Sequence, residues 1–79
     1  DEARFEVAEI RVAHDSKLAE RSLAELSFRQ KYKVTLIGIR RDENQITKIA
    51  PSERLFAGDC LFVIGTIEAI NNLKKQAPL

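Results

Sequence analysis

The sequence predicts an α+β domain in the order β-α-β-β-β-α, with a four-stranded sheet and two helices on one of its faces. Runs with two-residue alternation, two capped segments with helical spacing, and breaks at Pro51, Gly58 and Gly65 predict it together. Asp1 to Arg4 is polar and reads as a fraying end. Phe5 to Val12 then alternates as a strand, with Ala8, Ile10 and Val12 on one face and Phe5, Val7, Glu9 and Arg11 on the other. A polar loop, His14 to Lys17, follows. Ser22 and Glu25 have capping-box spacing, and the helix they open is expected over 23–31, with Leu23, Ala24, Leu26 and Phe28 on its apolar side. Val34 to Ile39 is a second strand, with Val34 and Leu36 on one face and Ile37 and Ile39 on the other. Arg40 to Asn44 is a charged turn, and Gln45 to Ala50 reads as the hairpin partner, ended by Pro51. After a loop to Asp59, Cys60 to Ile64 is the most apolar run and the expected central strand. Thr66 caps a second helix, in which Ile67, Ile70 and Leu73 recur and which Pro78 stops.

Composition bounds the function. The chain has 79 residues, one domain's worth, expected to be ordered over 5–76. A chain this small buries only about 60–65% of its unfolded surface. With 13 Lys plus Arg against 12 Asp plus Glu, the net charge is +1, which gives no long-range attraction to nucleic acid or an anionic membrane. No apolar run reaches the ~18–20 residues that span a bilayer, and a single cysteine forms no internal disulfide. With no methionine and Asp1 first, the chain is expected to be a piece of a longer protein or, alternatively, a processed chain; no signal-peptide pattern is present in it.

Two helices cover one face of such a sheet, yet the strands at 34–39 and 60–64 are apolar on both faces. An uncovered apolar face marks an interface, so a homodimer is expected. The competing cover is the loop 51–59, with Leu55 and Phe56.

No catalytic constellation emerges. His14 reads as a surface residue, Cys60 as a buried structural thiol, and the serines have no base partner; neither a glycine-rich phosphate loop nor a cation cage is present. One cluster has binding chemistry. Ile37, Ile39, Arg40 and Arg41 face a partner segment carrying Ile49, Ala50 and Pro51, and isoleucines beside an arginine fork suit a flat base and its phosphate. The competing reading is a solvated hairpin end.

Ser16-x-Leu18, Leu23-x-Glu25-Leu26, the strand ending at Arg40, and Gly58-Asp59-x-Leu61-x-Val63-x-Gly65 resemble a regulator-of-potassium-conductance C-terminal domain, also called the TrkA C-terminal domain. The resemblance spans about residues 6–75, with Glu20-Arg21 where the family often has Gly-Lys. It implies a non-enzymatic regulatory module on the cytoplasmic side of the membrane. Such modules are attached to a channel, a transporter or a Rossmann-type domain, and commonly dimerise. In some relatives cyclic di-AMP binds between two copies. Carried over, that cleft would be lined by Ile37, Ile39, Arg40, Arg41, Ile49, Ala50 and Pro51. The alternative is a structural dimerisation module with no small ligand.

Overall fold

The computed structural model describes residues 4–76, so the expected stop at Pro78 lies outside the described residues. It has strands β1 (Phe5–Arg11), β2 (Arg21–Ser22), β3 (Thr35–Arg41), β4 (Asn44–Ile46), β5 (Arg54–Leu55) and β6 (Cys60–Thr66). The helices are α1 (Leu23–Leu26), α2 (Phe28–Tyr32) and α3 (Ile67–Gln76). The four-stranded antiparallel sheet runs β1-β6-β3-β4, which confirms the expected α+β class and the central position of β6. The small β2-β5 pair is additional: the loop after Pro51 holds a short strand.

The expected helix over 23–31 is two helices. At about 100° per residue, Leu23 and Leu26 lie on one side of a straight helix while Phe28 and Tyr32 lie roughly opposite. Ser27 resolves the conflict by entering the left-handed region at φ 46°, which re-aims the second segment. Leu26, Phe28 and Tyr32 are then all buried. The capping box forms as read: the Glu25 amide donates to Ser22 Oγ at 3.0 Å, and the Ser22 amide donates to Glu25 Oε1 at 2.8 Å. The capping amide and the cation of Arg54 hold the Glu25 carboxyl below its ordinary pKa.

Strand β3 also departs from expectation. A register shift between Leu36 and Gly38 inserts an extra residue opposite β6. Ile37 and Ile39, expected on one face, are therefore separated: Ile37 is 43% exposed and Ile39 only 1%. The strand continues through Arg40 and Arg41, and the turn tightens to Asp42, at φ 57°, and Glu43. β4 is shorter than expected and ends at Ile46.

The core lies between the sheet and the helices. Ile10, Leu61, Val63 and Ile39 meet Leu26, Phe28, Ile70 and Leu73 there. Leu55, fully buried, joins this side, so the loop 51–59 does not cover the other face. Phe5 at 72% and Val7 at 65% exposure stay open on that face, and none of the described elements packs over them. β6 passes into α3 with no residue between, and Thr66 Oγ1 accepts from the Ala69 amide at 3.1 Å. At this junction a side chain on Gly65 would place its Cβ 2.8 Å from Val34 Cγ1, so only glycine allows the approach.

Candidate ligand-binding site

Consecutive strand residues point to opposite faces, and this separates the two adjacent arginines. Arg41 turns to the helix side. Its Nε and Nη2 donate to the two oxygens of Asp59, each at 2.9 Å, and Nη2 also donates to the Arg54 carbonyl at 2.8 Å. Glu53 Oε2 accepts from Nη1 at 3.5 Å, and the guanidinium lies 4.8 Å from the Phe56 ring centre. Asp59 is 1% exposed and also accepts from the Phe56 amide at 2.8 Å. Hydrogen bonding to Asp59 raises the Arg41 pKa further above its already high value. Arg41 is thus a clamp holding the end of β3 to the 53–59 loop.

Arg40 turns to the open face. Its Nη2 donates to Glu9 Oε2 at 2.8 Å, across the intervening β6, and its guanidinium lies 5.3 Å from the Phe62 ring centre. Both partners of this ion pair are about half-exposed.

The seven expected site residues are distributed over three hollows. Ile49, Ala50 and Pro51 border an apolar groove of about 520 Å³ with Leu23, Phe28 and Leu36. Arg40 and Arg41 border a polar cleft of about 540 Å³ with Arg11, Phe56 and Cys60. Ile37 and Ile39 border a smaller hollow of about 250 Å³ with Thr47 and Phe62. A single chain does not bring them into one cleft.

Sequence reasoning missed Glu9, Glu53, Phe62 and Asp59 as partners of the arginines. The signal for Asp59 was its place directly before the most apolar strand, where a carboxylate needs a cation. Cys60, expected buried, is partly exposed on the open face because it shares parity with Phe62 rather than with Leu61. His14 Nε2 lies 3.8 Å from Asp15, with its side chain 95% exposed, so this contact is solvated. No group of three metal-ligating side chains occurs among the described residues. None of the described helices is long and apolar enough to cross a membrane.

The model of the TrkA-C domain matches residues 7–77. The chain belongs to the TrkA-C domain family. It is 38% identical over 73 residues to the uncharacterised transporter sll0640 of Synechocystis sp., covering 92% of this chain and 12% of that protein. The chain thus spans about an eighth of the transporter it matches. Among solved structures, one similar fold is the RCK C domain of potassium transport protein KtrA in complex with cyclic di-AMP. It is 28% identical, with a TM-score of 0.81, over 90% of this chain and 81% of that one. The RCK_C domain dimer of Streptococcus agalactiae BusR, also with cyclic di-AMP, has the same fold. It superposes at a TM-score of 0.82 with 24% identity, over 89% of this chain and 92% of that one. These two solved domains share the fold of this chain.

Proposed function

We propose that this TrkA-C domain is a non-enzymatic, cytoplasmic regulatory module of a larger potassium or other ion-transport protein, and that it dimerises and responds to a small ligand. The observation that carries this reading is the likeness to the KtrA domain, which was solved with cyclic di-AMP. Cyclic di-AMP is the proposed ligand, held between two copies. Ile37, Arg40, Ile49, Ala50 and Pro51 are the proposed contacts, with Ile39 and Arg41 behind them. A ligand that binds one dimer geometry better than another shifts the population toward it, and the attached transporter follows.

Calorimetric titration with cyclic di-AMP tests the ligand: heat at one ligand per two chains is expected, and no heat at high micromolar ligand retires it. Sedimentation tests the dimer, and a monomer at micromolar concentration retires that part. A second reading, a structural dimerisation module without a ligand, draws on Phe5 and Val7, whose exposure calls for a protein surface and not for a nucleotide. It predicts dimers that are indifferent to cyclic di-AMP.

A further inference from the structure

On the open face, strand pairing lines up Arg11, Cys60 and Arg40 in one row across β1, β6 and β3. The outer two strands are about 10 Å apart, two strand spacings. Both arginine side chains are long enough to converge above the smaller Cys60, and both border the polar cleft at this end of the sheet, whose lining also includes Asp42 and the Arg41–Asp59 pair. The adjacent row holds Glu9, Phe62 and Gly38. Arg40 leans from its own row into this second one, donating a single hydrogen bond to Glu9 over the Phe62 ring. Arg41 has no comparable freedom, since Asp59 holds it bidentately and the Arg54 carbonyl takes a further donor.

We propose that the Arg11–Arg40 row binds a phosphate or phosphodiester group, and that Glu9 is the internal carboxylate which this group displaces from Arg40. A half-exposed ion pair held by one hydrogen bond is weak and releasable. A phosphate oxyanion offers several acceptors to two guanidinium forks, which Glu9 cannot match. Phe62, whose ring lies under the Arg40 guanidinium, and Ile64, next along β6, are the apolar surface adjoining the row, outside the cleft itself. The anion site stands on this geometry alone; its use by a nucleotide rests on the function proposed above.

The test is arginine Nε–Hε NMR of the 79-residue chain, titrated with inorganic pyrophosphate at constant ionic strength. Saturable movement of the Arg40 and Arg11 signals is expected, with Arg41 unmoved. Glu9→Gln should tighten binding about two- to five-fold, as expected for removing a weak competing ion pair. Arg40→Ala should abolish saturation while leaving the backbone amide spectrum folded. A response centred on Arg41, a linear response at Arg40, or equal or weaker binding by Glu9→Gln overturns the proposal. A parallel titration with cyclic di-AMP separates the sources. Competition with pyrophosphate at Arg40 makes the site a nucleotide phosphate site. Pyrophosphate binding without any cyclic di-AMP effect supports the anion site and fails the nucleotide reading. Cyclic di-AMP binding while Arg40 answers neither probe overturns the proposal and leaves the regulatory reading standing.

Discussion

On β6, Leu61 and Val63 point toward the helices and are fully buried, while Phe62 and Ile64 point the other way and remain partly exposed. The four residues are similarly apolar, so hydrophobicity alone does not decide burial here. Reach decides it: three short helices and the 51–59 loop all fall on one side of the sheet, and the other side is left with Phe5 and Val7 in water. The same contrast governs the arginines. On the covered side Arg41 is held by Asp59 and the Arg54 carbonyl through several hydrogen bonds; on the open side Arg40 has one replaceable partner.

Leu61→Ala should break the covered side most severely, with a loss of about 2–5 kcal/mol in urea unfolding from the cavity it leaves. Asp59→Ala should follow at about 2–3 kcal/mol by the same measurement. That is below the ~3–5 for a fully buried pair, because Arg41 keeps some water access. Val7→Asp sits on the open side and should change monomer stability by less than about 0.5 kcal/mol. It should nevertheless abolish the proposed dimer in sedimentation. A loss of stability like that of Leu61→Ala would remove the distinction between the faces. Glu20 is at φ 67°, so Glu20→Gly should stabilise by up to about 1 kcal/mol in thermal melts. The smallest effect concerns pH. The Glu25 carboxyl has a folded pKa below its unfolded one, so its contribution is present above the unfolded value and is lost as pH falls through the folded value. Acid titration of Glu25→Gln should lack that part of the decline seen in the parent chain.

Much of the fold was legible because alternation, caps and breakers act over a few residues. The Ser22 capping box, the Thr66 cap and the central strand at Cys60 each needed only local pattern. Glu20 marks the limit of that legibility: its backbone, at φ 67°, lies in the left-handed region that favours glycine, which the residue itself does not signal. The bulge at Ile37 was not legible, since it arises from pairing with a strand more than twenty residues away and shifts side-chain parity without a local sign. The break at Ser27 was half-visible in the incompatible angular positions of Leu26 and Phe28. The candidate site was least legible. Adjacent arginines look equivalent in a string of letters, and only the partners Glu9 and Asp59, 31 and 18 residues away from Arg40 and Arg41, tell them apart.

The direct passage of β6 into α3 makes the two a single bent rod. Hinges are loop or element-terminal residues free to absorb a change in backbone angle, and here the terminal residues are tied: Gly65 packs against Val34 and Thr66 Oγ1 accepts from the Ala69 amide. A load placed on the open surface at Phe62 or Ile64 therefore has no slack to take up before it reaches α3. A small tilt of the strand becomes a sweep of the helix tip, multiplied by the helix's length of about 15 Å.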